Sequence, residues 1–217
     1  NAYCSLPRSD PSISSILTGM YPHAHGIRLV YDIKPDMSLT HLPEILKSHG
    51  YKTAFMGIGV VHDPSIEKGF EEYDRITWKI KNKIQRGLHK LFNPKNFLGV
   101  SQQYTDIAIK WIKKNSNKNF FLFLHYDDLH WPYNIPKPFE DMFDPDYRGD
   151  HDFNTLANSR FSRGDIIFGN IKLPKEEVDH AIAHYDGGIR YIDTQIGRIL
   201  DVVKEQNLEE DTLIILT

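Results

Sequence analysis

Apolar positions along the chain switch between two periods, and the switches mark the elements. "DPSISSILTG" (10–19) predicts a short helix, with Asp10 as N-cap, Pro11 at the first helical position and Gly19 just past the end. "SLTHLPEILKSHGY" (38–51) predicts a second helix: Ser38 caps it, Leu42, Ile45 and Leu46 share one face, and His49-Gly50 ends it. "KTAFMGI" (52–58) follows as a strand. Helical spacing returns at 103–115, where Ile107, Trp111 and Ile112 line up. "NFFLFLHY" (119–126) is apolar on both faces and reads as a buried strand. A long helix covers roughly 175–206, its apolar stripe made of Ile182, Ile189, Ile192, Ile196, Ile199, Leu200 and Val203. "DTLIILT" (211–217) reads as another buried strand.

Helices alternating with continuous apolar strands predict an α/β fold, a mostly parallel mixed sheet sandwiched between helices. No internal repeat interrupts the pattern, and residues 1–217 read as a single domain. Two stretches, 76–100 and 134–174, are long connections rich in Pro, Asp, Asn and aromatics. Such connections in a folded domain are usually functional loops.

Composition narrows the partners. A net charge of −3 gives no general attraction to nucleic acid or anionic lipid, so an anionic substrate must be held locally, by a metal or a few placed donors. One cysteine excludes an internal disulfide framework. No apolar run approaches the ~20 residues of a membrane span. No signal peptide is visible, and because the chain opens at Asn1 its compartment is left open, as is its oligomeric state.

Two groups near the start compete as nucleophile, Cys4 and Ser9. A hydroxyl or thiol gains most at a helix N-terminus, where unpaired N–H groups and the helix dipole stabilise an anion. Ser9 immediately precedes the Asp-Pro start of the first helix; Cys4 lies a full extended segment earlier and reads as a small, unreactive filler. Ser, Asp and Pro before a helix are also ordinary capping residues, so position alone does not make Ser9 reactive.

"SDPSISSILTGMYPHAHG" resembles the sulfatase signature, which runs C/S-x-P-S-R, then Leu-Thr-Gly, then Tyr-Pro and His-Gly. Further blocks resemble the same family in the same order: "GYKTAFMG", "KGFEEYD", "FFLFLHYDDLHWPY", "YDGGIRYIDTQIGRIL" and "DTLIILT". The resemblance implies the sulfatase branch of the alkaline phosphatase superfamily, with 1–217 an internal piece lacking the first strand and the C-terminal part. Counting back from Leu17-Thr18-Gly19, the family's reacting residue falls on Ser9, its proline on Pro11 and its serine on Ser12. Cys4 with Arg8 only imitates the motif, its proline one place late.

The resemblance implies a metal-dependent hydrolase of sulfate esters, or of related phosphate or phosphonate esters, on a small-molecule or glycan substrate. Ser9, or a formylglycine made from it, would be the nucleophile and a metal ligand. His130 would hold an oxyanion or protonate the leaving oxygen, although a loop histidine bonded to backbone gives the same pattern. His62 would be a substrate contact, and the lysine that the family places near it is absent, Ile58 standing there. One or two divalent ions are implied, Ca or Mg, or Zn or Mn for a phosphoesterase. Their other holders would lie outside this chain.

One departure bears on mechanism: the signature arginine is replaced by Ile13. In the family that arginine accompanies formylglycine, whose second hydroxyl lets a sulfated intermediate collapse. A plain serine lacks that exit, whereas a phosphorylated serine can be released by in-line attack of water. Two other readings stay open, a catalytically degenerate binding protein and a phosphotransferase to an alcohol. His23 and His25 read as part of a turn rather than as ligands. Asp127 and Asp128 could bind metal or cap a loop, and Asp186, Arg190 and Asp193 form the solvated face of the long helix.

Overall fold

The chain reverses from extended to helical backbone at Arg8, whose φ of −147° and ψ of 142° precede helix α1, Ser9–Thr18, in the computed structural model. This structure describes residues 4–28, 36–57, 64–74, 100–130, 133, 135–149, 169–170 and 172–217. The elements that follow are α2 (Pro22–His25), α3 (Leu42–Ser48), β1 (Lys52–Gly57), β2 (Glu72–Asp74), α4 (Val100–Asn115), β3 (Phe120–His125) and α5 (Lys175–Glu205). Short 3-10 turns occupy Pro64–Glu67 and Phe139–Asp141. Among the described residues no helix is long and apolar enough to cross a membrane.

The chain divides into two compact units: Asn1–Arg86 with Ile107–His125 and Val202–Thr217, and Gly87–Asp106 with Tyr126–Asp201. The first holds the sheet, in the order β2-β1-β3, with both pairings parallel. The α/β expectation is met by this parallel sheet with helices against it. Strand register stacks the rings of one face: Phe55 lies opposite both Tyr73 and Phe123. Its ring sits 4.6 Å from the first and 5.4 Å from the second, nearly parallel in each case. Such pairs contribute about 0.5–1.5 kcal/mol each beyond the area they bury. Ile13 and Leu17 of α1 close over this face with Ile66. On the opposite face Trp111 of α4 meets Phe120 edge-on at 5.6 Å.

Thr53, buried in β1, fixes the approach to β2: its hydroxyl donates to the Gly69 carbonyl at 2.6 Å and accepts the Glu71 N–H at 3.1 Å. Lys68 ties the same corner to the start of α3, donating to the carbonyls of Met37 and Leu39 and pairing with Glu44 at 3.3 Å.

The second unit is organised by α5. Its buried face is His180, His184, Gly187, Gly188, Tyr191 and Gln195, one helical stripe. The Tyr191 hydroxyl accepts the Gln102 N–H at 3.1 Å, and its ring meets Phe139 at 5.4 Å. His180 Nδ1 bonds Asp144 at 2.9 Å, and Arg198 pairs with Asp106 at 2.5 Å.

Several expectations are corrected. The N-cap of α1 is Arg8, so Asp10 lies inside the first turn. The cap of α3 is His41, whose N–H donates to Glu44 Oε2 at 2.9 Å; Ser38 instead turns back on Asp36. Leu42 and Ile45 of α3 are exposed, because Pro43 takes the inward position. Helix α4 starts at Val100 rather than 103, since a carboxylate from another loop caps it. Strand β3 is half-buried along its length, being at the edge of the described sheet. Residues 212–217 form no strand: no described strand pairs with them, and Leu213 is 86% exposed. Of the stripe expected on α5, Val203 is buried and Ile192, Ile196 and Ile199 are half-buried, whereas Ile182, Ile189 and Leu200 are exposed. The Gly187–Gly188 pair turns inward instead, letting Phe139, Ile135 and Leu129 approach so closely that no Cβ would fit.

Gly69 has φ of +81°, and a Cβ there would lie 2.3 Å from the Glu44 nitrogen. Gly69→Ala is expected to destabilise the first unit by roughly 1–3 kcal/mol, from backbone strain and the clash together. Urea unfolding measures it, and Gly197→Ala, where nothing lies within 4 Å, is the control expected to leave the midpoint in place or raise it.

Candidate active site

Ser9 is the first residue of α1, and Ile13, Ser14 and Leu17 carry the helix's buried face. The first helical bond runs from the Ser12 N–H to the Arg8 carbonyl at 3.1 Å, and the Arg8 N–H turns back to Leu6 at 2.8 Å. Pro11 has no N–H. Helix geometry therefore leaves the amides of Ser9 and Asp10 to partners outside the helix, at its positive end. Ser9 itself is half-buried, while Asp10 beside it is fully buried. One turn on, Ile13 is 5% exposed and belongs to the apolar cluster with Leu17, Phe55 and Ile66. The place of the signature arginine is thus part of the core.

The turn after α1 is structural. Nδ1 of the buried His25 accepts the Ile27 N–H at 3.1 Å, which puts its proton on Nε2, 3.0 Å from the Ser15 hydroxyl. Both ring nitrogens are used, so His25 is no ligand. His23 is exposed and stacks on Tyr21. Cys4 is exposed, which corrects its reading as a small filler: the segment before α1 lies outside the apolar cluster.

In the second unit, the turn after β3 gathers Asp127, Asp128 and His130. The His130 N–H donates to the Asp127 carbonyl at 2.8 Å, and the His130 side chain is exposed. Asp128 is buried, and its Oδ2 accepts both the Ser101 hydroxyl and, at 3.1 Å, the Ser101 N–H in the first turn of α4. It is a helix cap supplied from a distant loop, the reading in which Asp128 caps rather than ligates. Burial pushes the Asp128 carboxyl up, and the Ser101 donors oppose it. Burial also pushes Asp127 up, to about 6, with His130 opposing and the Asp128 charge adding. Tyr126 bonds Thr105 at 2.7 Å, and burial raises its phenol as it does that of Tyr191.

Ser9 belongs to the first unit and His130 to the second. His62 and Ile58 lie outside the described residues. Asp186 is exposed and Arg190 pairs with Asp193 at 2.7 Å on the solvated face. Ser101 was not anticipated; a serine opening a helix is a signal, but its partner stands 27 residues away. Among the described residues no three His, Cys, Asp or Glu side chains converge to hold a metal ion. The described carboxylates therefore make no metal centre by themselves.

A family profile described as Sulfatase matches residues 1–217. The chain belongs to the sulfatase family. It is similar to a protein named sulfatase from Formosa agariphila, 26% identical over all of this chain and 50% of the relative. It is likewise similar to human iduronate 2-sulfatase, 26% identical over all of this chain and 47% of that protein. This sulfatase-family chain thus spans about half the length of the curated relatives it matches. Among solved structures, the phosphonate monoester hydrolases of Silicibacter pomeroyi and Agrobacterium radiobacter share its fold. Their TM-scores are 0.71 and 0.69 at 20% and 17% identity, over 98% of this chain and 53% of each.

Because the folded state holds the Asp127 proton more tightly than the ordinary 3.8, stability falls as pH rises from about 4 and levels off above about 6. Asp127→Asn is expected to remove this part of the pH dependence, on the order of 1–3 kcal/mol between those limits. Urea midpoints of both proteins across pH 4–7 test it: an Asn variant with the same slope contradicts a raised Asp127.

Proposed function

We propose that this chain carries the nucleophile of a metal-dependent hydrolase whose substrates are esters of a tetrahedral oxyanion. The observation that supports it is Ser9 at the first position of α1, half-buried at the helix's positive end. The position one turn on favours an unmodified serine: Ile13 faces the apolar cluster, so no cation stands where the signature arginine would. With serine intact, phosphate or phosphonate esters fit better than sulfate esters, since the second hydroxyl that releases sulfate is missing.

In this reading the Ser9 oxygen attacks phosphorus and the ester P–O bond breaks. His130 gives its proton to the departing oxygen, Ser9 releases its own to solvent as it attacks, and His130 is reprotonated from solvent. Water then attacks phosphorus in line, the bond to Ser9 breaks, and the serine regains its proton. The amides at the start of α1 stabilise the charged oxygens throughout. A divalent ion, when bound, supplies Lewis-acid charge at the same oxygens. Residues 1–217 act as one catalytic domain, and His62 contacts the substrate. The loss of the arginine also favours a second reading, a binding protein that keeps the fold without turnover.

The decisive measurement is the intact mass of the peptide containing Ser9, expected to be that of serine, not of an oxidised residue. In the full-length protein that carries this chain, Ser9→Ala is expected to cost on the order of 10³-fold or more in turnover. Cys4→Ala is expected to leave it unchanged. A panel of aryl sulfate, phosphate monoester, phosphodiester and phosphonate substrates reads the preference. Equal losses from both variants contradict the assignment of Ser9, and no turnover on any substrate favours the binding protein.

A further inference from the structure

The turn that carries His130 is mounted on one helical turn of α4. The Thr105 hydroxyl donates to the Ser101 carbonyl at 2.8 Å, so its single proton is spent. The Tyr126 hydroxyl, 2.7 Å away, must therefore donate to Thr105. Ser101 in turn donates its N–H and its hydroxyl to Asp128. Both ends of the segment 126–128 thus close on the same turn, Ser101–Thr105, through a chain of hydrogen bonds with a fixed direction. Leu129 supplies an apolar anchor: its Cδ2 lies where a Cβ on Gly188 of α5 would be, 2.7 Å off. Beyond these anchors the His130 imidazole is exposed. All of these residues belong to the second unit.

We infer that Asp128, acting through Ser101, is a positioning residue that sets the direction in which His130 presents its imidazole. Capping a helix costs little to do locally, and most helices use a residue just ahead of their own first turn. Here the cap is supplied instead by the residue two places before the exposed histidine, and the carboxylate is buried where its alternative is an unpaired charge. The helix start and the histidine turn are therefore fixed relative to each other. Loosening either bond frees the turn to pivot about Leu129. A displacement of about 1 Å of a proton donor costs on the order of 10²-fold in rate.

The catalytic consequence rests on the hydrolase reading; the mounting does not, and the test separates them. Asp128→Asn and Ser101→Ala are made alone and in a His130→Ala background in the full-length protein, with thermal unfolding confirming that each folds. The His130 ring resonances are followed by NMR in the variants that retain it. Turnover is compared on a phosphonate or phosphate ester with a poor alkyl leaving group and on an activated aryl ester. Expected are shifted and broadened His130 resonances and a kcat loss on the order of 10²-fold on the alkyl ester with KM little changed. A smaller loss on the aryl ester and no further loss when His130 is already alanine complete the pattern. Unmoved His130 resonances, or the same added loss in the His130→Ala background, would overturn the inference. If Ser9→Ala retains turnover, the hydrolase reading falls while the resonances still decide the mounting.

Discussion

Parallel pairing of β1 with both of its neighbours is the constraint on which the first unit depends. It aligns Gly57 with His125 and Met56 with Asp74, so the described strands finish at one end of the sheet. In open α/β sheets ligands gather beyond the carboxyl ends of strands, because the loops there converge while helices occupy the faces. β1 and β3 of the first unit both run toward that end. An antiparallel β3 would send its following loop to the other end. The register is held by side chains as well as backbone: the three stacked rings meet only if Phe55 stays opposite Tyr73 and Phe123.

Much of this was legible in the sequence, for reasons that are local. Pro11 and Gly19 bracket α1 to within a residue or two, and Gly19 adopts the left-handed conformation a helix stop requires, φ 68°. The apolar runs at 52–57 and 120–125 give β1 and β3, and α5 runs from Lys175 to Glu205 nearly as its periodicity indicates. What failed was the choice of face along part of α5. Isoleucines on α5 mark an apolar stripe, yet the helix buries two histidines, a tyrosine, a glutamine and a glycine pair, because close backbone approach and hydrogen bonding decide there. Periodicity counts hydrophobicity and is blind to both.

The candidate site shows the same division. The position of Ser9 at a helix start was readable because a helix start is a short-range feature. The Asp128–Ser101 cap was not, since it joins a loop to a helix that precedes it in the chain, and no spacing rule connects them. Ile13 lies between these cases. The sequence announces that the arginine is missing; the structure adds that the position is filled by core packing. A cation at this position would be a charge buried among Leu17, Phe55 and Ile66.

The uncovered run Leu213–Leu216 carries a practical corollary. It holds four branched aliphatic side chains, no charge and no proline, with most of its surface facing solvent. Backbone of that composition is a ready template for intermolecular cross-β pairing wherever it stays bare. A neighbouring strand laid along this run would take up its backbone hydrogen bonds and remove that template.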